Sequence, residues 1–118
     1  MLPDKEIAKL CRGRIIYASF YNSLGNNVAG PHYAVILDSD DEIKEHDSYF
    51  VAVISSKEKI DEGFNVAVPA YTGLTGFVKC RWIEEAHLRA IEKVKGKILK
   101  PEMEKIAAMV RKARASNA

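Results

Sequence analysis

Short runs of β-branched and aromatic residues, separated by turn residues at regular intervals, most strongly limit what this chain can fold into. Such residues fit the half-buried surface of a pleated strand, whereas Gly, Pro, Asn and Asp favour turns. The five runs that predict strands are 14–20, 32–37, 49–54, 64–69 and 77–83. A sixth stretch, 91–99, fits either a strand or a helix. Short strands with regular turns predict a small β-barrel.

The segments between these runs differ in character. Residues 21–31 carry turn chemistry almost throughout, which predicts a long loop of the kind that often bears binding residues. Residues 38–47 hold six acids and one lysine, which predicts an exposed, self-repelling loop. A cation site there is the less favoured alternative, because the spacing of an EF-hand is absent.

Helices are predicted at both ends of the chain. Asp4 can cap a short helix over 4–11, and the barrel is then expected to span 12–99. In the last helix, 100–115, Pro101 suits the first turn, and apolar residues recur at i, i+3, i+4 and i+7. We therefore predict one domain, 1–118, that is mainly β with a C-terminal helix docked on the barrel. The apolar stripe consists of Met103, Ile106, Ala107 and Val110.

Composition and charge limit the possible partners. With 47% hydrophobic and 29% charged residues, the chain has the composition of an ordinary globular protein. No run approaches the ~20 apolar residues of a membrane-spanning helix, and the first residues lack a signal peptide, so we expect a cytoplasmic protein. Residues 79–118 hold 11 Lys and Arg against five Glu. This basic third fits either phosphate binding or a solvated surface.

Metal and cofactor chemistry find no support in the sequence. Cys11 and Cys80 are too few and too far apart for a disulfide framework or a four-ligand zinc site, and we expect reduced thiols. Phosphate-binding loops, zinc-peptidase motifs and serine-hydrolase motifs do not occur. No cofactor and no metal are therefore expected.

Four phrases, taken in their order and spacing, resemble the MazF/PemK (Kid-like) toxins of type II toxin–antitoxin systems. They are 12–15 (RGRI), 30–37 (GPHYAVIL), 51–56 (VAVISS) and 76–82 (GFVKCRW), and the resemblance covers residues 12–114. It implies an SH3-like (CcdB/MazF-like) barrel that forms a homodimer, binds single-stranded RNA at the dimer interface, and is blocked there by an antitoxin protein. It also implies metal-independent RNA cleavage, with the RNA's own 2′-hydroxyl as the nucleophile.

The resemblance points to two catalytic positions. In-line attack of a 2′-hydroxyl needs a base, an acid for the leaving 5′-oxygen, and positive charge at the phosphate. The arginine of the family's "RP" pair maps to His32, and its threonine or serine maps to Ser55. Histidine exchanges protons near neutral pH, where arginine cannot. His32 is therefore predicted as acid or base and Ser55 as a phosphate-orienting hydroxyl; alternatively, His32 only caps the start of its strand.

Further residues are predicted to contact RNA. Ser56 would bind phosphate, Lys79 matches a basic site of Kid-like members, and Arg81 stands where they carry an acid, so a carboxylate base is missing. Trp82 can stack on a base or belong to the core. Two more residues can add positive charge or simply lie on the surface: Arg14 and Lys57.

Two functions are consistent with these features. The first is a toxin that acts as a sequence-selective endoribonuclease on single-stranded RNA. The second is a non-catalytic module of the same fold that binds nucleic acid or protein, as in the related CcdB fold. Convergence of His32 and Ser55 across a basic groove favours the first, and a His32 hydrogen-bonded into the core favours the second.

Overall fold

A computed structural model describes residues 1–21 and 27–116 of the chain. Within these residues, six strands form one antiparallel sheet, accompanied by three α-helices. The strands are β1 (Arg14–Tyr21), β2 (Asn27–Ile36), β3 (Ser48–Ser55), β4 (Asn65–Ala67), β5 (Phe77–His87) and β6 (Ile91–Lys97). The helices are α1 (Asp4–Ile7), α2 (Asp40–Glu45) and α3 (Lys100–Ser116). None of the described helices is long and apolar enough to cross a bilayer.

The strands follow the order β4-β5-β3-β2-β1-β6. The predicted class, mainly β with a C-terminal helix, is confirmed. In the described residues β4 and β6 are not paired with each other, so the sheet is open and "barrel" describes it only loosely. Where β5 pairs with β3, the register shifts between Ala52 and Ile54, which marks a bulge in β5.

Apolar side chains cover both faces of the sheet. The central strand β2 shows this, because Ala34, Val35 and Ile36 are all fully buried although successive residues of a strand point to opposite faces. One face packs against residues around α1, α2 and the 3₁₀ turn Leu88–Ala90. The other face packs against α3.

The predicted stripe on α3 is largely confirmed. Met103, Ile106 and Val110 are buried against the sheet, whereas Ala107 is only half-buried. Ala113 continues the stripe by one more turn. Burial of this stripe fixes α3 on the sheet, as expected for an amphipathic helix.

Several element boundaries differ from the predictions. The N-terminal helix ends at Ile7 instead of residue 11, and Asp4 lies inside it, after Pro3, instead of capping it. Tyr21 ends β1 and β2 begins at Asn27, so residues 21 and 27–31 of the predicted loop 21–31 belong to strands; residues 22–26 lie outside the described residues. β5 runs on to His87, and the ambiguous stretch 91–99 contains strand β6.

The acidic segment 38–47 contains a helix, and the predicted loop is therefore wrong. The Ser39 hydroxyl accepts a hydrogen bond from the Glu42 backbone N–H, while the Glu42 carboxylate accepts one from the Ser39 N–H. This reciprocal capping box begins α2. Hydrogen bonds to the Glu42 carboxylate from the Ser39 backbone N–H and from the Ser39 side chain lower the pKa of the Glu42 carboxyl.

Candidate functional site

Strands β2, β3 and β5 bring three predicted site residues to one end of the sheet. β2 pairs with β3 in a register that joins Ala34 to Val53. His32 precedes Ala34 by two residues and Ser55 follows Val53 by two, so both lie beyond the same end of this antiparallel ladder. From β5, the Trp82 ring contacts the His32 ring edge-to-face, with centroids 5.1 Å apart.

The His32 ring is half-buried and contacts an aromatic side chain. Among the described residues it has no hydrogen-bond partner, so the alternative in which His32 caps its strand finds no support. An edge-to-face aromatic pair contributes about 0.5–1.5 kcal/mol beyond the area that it buries. Trp82 therefore helps to fix the position of the imidazole.

Trp82 is tied to the strand on which it lies. The indole is half-buried against the core, and its Nε1 donates to Glu84 Oε1 at 2.9 Å. The core alternative for Trp82 therefore applies in part, because one part of the ring packs inward and another part contacts His32. Stacking of Trp82 on a base stays a prediction. Glu84 was not among the predicted site residues; the only sign of it in the sequence is its position two residues after Trp82 on one strand, which places both side chains on one face.

Beyond Ser55 the chain turns sharply. The Ser55 hydroxyl accepts a hydrogen bond from the Lys57 backbone N–H at 3.2 Å. Ser56 and Lys57 are exposed in the loop that follows β3. From the turn before β5, Gly76 lies so close that a Cβ there would stand 2.9 Å from the Ser55 carbonyl oxygen. The Lys57 backbone therefore contacts the Ser55 side chain, and Gly76 packs closely against the Ser55 carbonyl.

Lys79 does not face solvent. Only 3% of the residue is exposed, and its Nζ donates to the carbonyl oxygens of Lys57 and Ile60, each at 2.5 Å. The predicted contact between Lys79 and phosphate is not available in this arrangement, because the loop carbonyls surround the ammonium. Lys79 instead binds backbone carbonyls of the loop that follows β3.

The two arginines occupy different places. Arg81 is exposed, forms an ion pair with Asp61 at 3.4 Å, and its guanidinium lies 5.0 Å from the centre of the Phe64 ring. Arg14 donates to the Lys9 and Lys95 carbonyls, at 2.8 and 3.3 Å. Because the β1–β2 register places Arg14 four rows from His32, roughly 13 Å separates them along the strands. The structure does not bring Arg14 to the site.

Thiol chemistry is limited at this surface. Cys80 is buried on the α3 side of the sheet, and burial raises the pKa of its thiol to about 11. A thiol with that pKa is a poor nucleophile at neutral pH. In the ranges that the structure describes, no three His, Cys, Asp or Glu side chains are grouped so as to hold a metal ion.

Solved structures share this fold. An endoribonuclease from a mycobacterial species, in complex with its cognate antitoxin, is 16% identical, with a TM-score of 0.75 over 90% of this chain and 95% of that chain. A MazE–MazF structure (Form II) from Deinococcus radiodurans is 15% identical, with a TM-score of 0.68 over 87% and 92%. The Mycobacterium tuberculosis toxin MazF-mt6 is 16% identical, with a TM-score of 0.66 over 85% and 96%. A search of curated protein sequences gave no significant match.

The sequence itself carries a family signature. The profile of PemK-like, MazF-like toxins of type II toxin–antitoxin systems matches residues 11–113. This range includes all six strands and most of α3. The chain therefore belongs to the PemK-like, MazF-like toxin family of type II toxin–antitoxin systems.

Proposed function

We propose that this toxin cleaves single-stranded RNA without a metal ion, with His32 and Ser55 as its catalytic residues. The observation that supports the proposal is the His32 ring, which contacts Trp82 and lies beyond the same end of the β2–β3 ladder as Ser55. Family membership supports a toxin, and the related endoribonuclease and MazF structures support RNA cleavage.

The proposed reaction is a transesterification within the RNA. The 2′-oxygen attacks the adjacent phosphorus, the bond from phosphorus to the 5′-oxygen breaks, and the products carry a 2′,3′-cyclic phosphate and a 5′-hydroxyl. Since the nucleophile belongs to the substrate, the protein has only to move protons and stabilise charge on the phosphate. His32 takes the proton from the 2′-hydroxyl while water gives one to the leaving 5′-oxygen, or the protonated His32 gives the proton to the leaving 5′-oxygen while water takes the other.

Ser55 and its neighbours would hold the phosphate. The Ser55 hydroxyl already accepts a hydrogen bond from the Lys57 N–H, which leaves its own proton free to be donated to a phosphate oxygen. Ser56 and the exposed Lys57 ammonium add a second hydroxyl and a positive charge beside it. The exposed part of Trp82 can stack on a base, a contact worth about 1–3 kcal/mol.

Arg81 can also contribute to RNA binding. Its ion pair with Asp61 is partly exposed, and such pairs contribute at most about 1 kcal/mol, so a phosphate can compete with the carboxylate. Arg14 and Lys79 act through the fold in this proposal. We further propose a cytoplasmic homodimer that an antitoxin protein inhibits, which the related antitoxin-bound structures support.

Incubation of the purified protein with labelled single-stranded RNA in EDTA tests this proposal. His32→Ala should lower the cleavage rate by about 10²–10⁴-fold, the usual contribution of a general acid or base. Ser55→Ala should lower it by about 10²-fold through loss of one phosphate donor. His46→Ala, an exposed histidine after α2, is the matched control and should cleave at the wild-type rate.

The product and the substrate provide further checks. A 2′-deoxy substitution at the cleaved position should abolish cleavage, because it removes the nucleophile. Cleavage unaffected by both His32→Ala and Ser55→Ala would exclude this site. RNA binding without cleavage of any RNA would instead support the non-catalytic module.

A further inference from the structure

The loop after β3, which we name the site loop (residues 56–61), is held by side chains from the two neighbouring strands. Asn65 on β4 and Lys79 on β5 are direct cross-strand partners. Lys79 Nζ donates to the carbonyls of Lys57 and Ile60. Asn65 Nδ2 donates to the carbonyls of Glu58 and Ile60, at 2.7 and 3.2 Å. Both side chains thus converge on the Ile60 carbonyl.

The burial of Lys79 shows that this arrangement serves more than packing. A buried ammonium is strongly unfavourable unless it is hydrogen-bonded or paired. Among residues 1–21 and 27–116 no carboxylate pairs with Lys79, and carbonyls of the site loop are its acceptors. An apolar residue would fill the same space, but it would remove the donor of the Lys57 carbonyl and one of the two donors of the Ile60 carbonyl. The lysine is therefore matched to one conformation of the loop.

The far end of the site loop is fixed as well. Asp61 has a φ of +55°, a left-handed conformation that is uncommon for residues other than glycine. Its carboxylate forms the ion pair with Arg81 on β5. Hydrogen bonds, an ion pair and a special backbone conformation thus act on the same short segment.

One residue of the loop connects this support to the site. Lys57 accepts from Lys79 Nζ through its carbonyl and donates to the Ser55 hydroxyl through its backbone N–H. A shift of the Lys57 peptides would therefore move the hydrogen bond that orients Ser55. Errors of about 1 Å in the position of a catalytic group can lower a rate by about 10²-fold.

We infer that Asn65 and Lys79 are positioning residues for RNA cleavage, and that they hold the site loop so that the Lys57 backbone N–H orients the Ser55 hydroxyl at the phosphate. The inference rests on the proposed function. In it the Lys79 ammonium makes no contact with RNA, in contrast to a lysine that binds phosphate directly.

Limited trypsin digestion tests the loop support without any RNA. Lys57 and Lys59 are exposed cleavage points within the site loop. In Lys79→Met and in Asn65→Ala, cleavage after these two lysines should accelerate by about 10-fold or more, because local opening no longer breaks these hydrogen bonds. Ile106→Val, a small core change in α3, controls for general loss of stability and should leave these two cuts at the wild-type rate. Unchanged cleavage in both loop variants would overturn the inference.

Salt dependence then separates positioning from direct contact. The probe is a 2′-O-methyl single-stranded RNA, which lacks the nucleophile and cannot be cleaved. Lys57→Met should lower the slope of log affinity against log salt by about 0.7, the value for one phosphate contact on a single strand. Lys79→Met should keep the wild-type slope, because the long, exposed Lys57 side chain can still reach the phosphate after a small shift of its backbone. It should still lower the cleavage rate of ordinary RNA at saturation by about 10–100-fold, because the Ser55 hydroxyl is no longer oriented. A Lys79→Met slope equal to that of Lys57→Met would overturn the inference.

The two proposals fail in different ways. If the wild-type protein cleaves no RNA, the proposed function is refuted, and with it the positioning of a cleaving site. If the wild-type protein cleaves RNA and Lys79→Met does so at the same rate, only the positioning inference is refuted.

Discussion

Replacement of Gly76 with alanine should damage the fold and the candidate site together, because Gly76 lies against the backbone of Ser55. Its φ is +114°, outside the regions that L-residues occupy readily. A Cβ there would stand 2.9 Å from the Ser55 carbonyl oxygen and 3.3 Å from its carbonyl carbon. These are backbone atoms of β3, so they cannot rotate away as a flexible side chain would.

Alanine substitutions at two other glycines separate the cost of the positive φ from the cost of the Cβ clash. At Gly63 a Cβ would meet no atom within 4 Å, and Gly63→Ala should change the free energy of unfolding by about 0.5 kcal/mol or less. Gly73 has a φ of +78° but equally open space, so Gly73→Ala should cost only the left-handed penalty of about 1–2 kcal/mol. Gly76→Ala adds a clash of about 1–3 kcal/mol, for a total of about 2–5 kcal/mol.

Urea unfolding followed by Trp82 fluorescence measures these differences. The expected order of destabilisation is Gly63→Ala, then Gly73→Ala, then Gly76→Ala, with m-values close to that of the wild type. Under conditions in which all three variants are folded, only Gly76→Ala should lose RNA cleavage, by about 10²-fold, because it displaces Ser55. Equal free energies for Gly73→Ala and Gly76→Ala would refute the close-contact argument, and full activity of Gly76→Ala would refute the link to Ser55.

Three further predictions follow from single side chains. Trp82→Ala should weaken binding of uncleavable single-stranded RNA by about 1–3 kcal/mol in a fluorescence-anisotropy titration, and an unchanged affinity would assign the indole to the core alone. Burial raises the pKa of the Cys80 thiol from 9.0 to about 11, so between pH 9 and 11 the thiol is deprotonated in the unfolded state and still protonated in the folded state. The free energy of unfolding should therefore fall as pH rises from 9 to 11. Cys80→Ala should flatten that fall in urea titrations across this range, and an equal fall in the variant would exclude Cys80 as its source. Ile106→Ala should lower the free energy of unfolding by about 2–5 kcal/mol, whereas Ala108→Ser on the exposed side of α3 should change it by about 0.5 kcal/mol or less, and equal effects would contradict the packing of α3.

Much of the sheet could be predicted because its strands carry their own signal. The run 32–37 is apolar after His32, and residues 34–36 of β2 are indeed buried on both faces of the sheet. The start of β2 could not be predicted, because Gly30 and Pro31 are turn residues in isolation. They lie where the β1–β2 register shifts, and such bulges tolerate proline inside a sheet.

The helix α2 was predictable in principle. Ser39 and Glu42 have the spacing of a capping box, but the acidic composition of 38–47 favoured a loop. Charge repulsion is weak for exposed side chains, and the two cap hydrogen bonds together with buried Ile43 outweigh it. A local motif was here a better guide than composition.

In the site, the family resemblance pointed to His32 and Ser55, whereas the surroundings of Lys79 could be found only from the structure. Lys79 looks like a phosphate-binding lysine in the sequence, since it stands in a basic segment. Its actual partners are carbonyls of residues 57 and 60, and nothing local to residue 79 indicates that the loop folds over it. Long-range contacts of this kind are beyond a reading of strand patterns.

Gly13 has a consequence for how the toxin is made. Its N–H donates to Ile36 and its carbonyl accepts from Ile98, so one residue joins the end of β2 to the segment before α3. Gly13 and Ile98 are 85 residues apart in the chain. At a synthesis rate of about 5–20 residues per second, roughly 4–17 s pass before the ribosome has added the partner of Gly13. During synthesis, β1 therefore waits for β6 and the segment that leads into α3, and the complete sheet forms only when translation is almost finished.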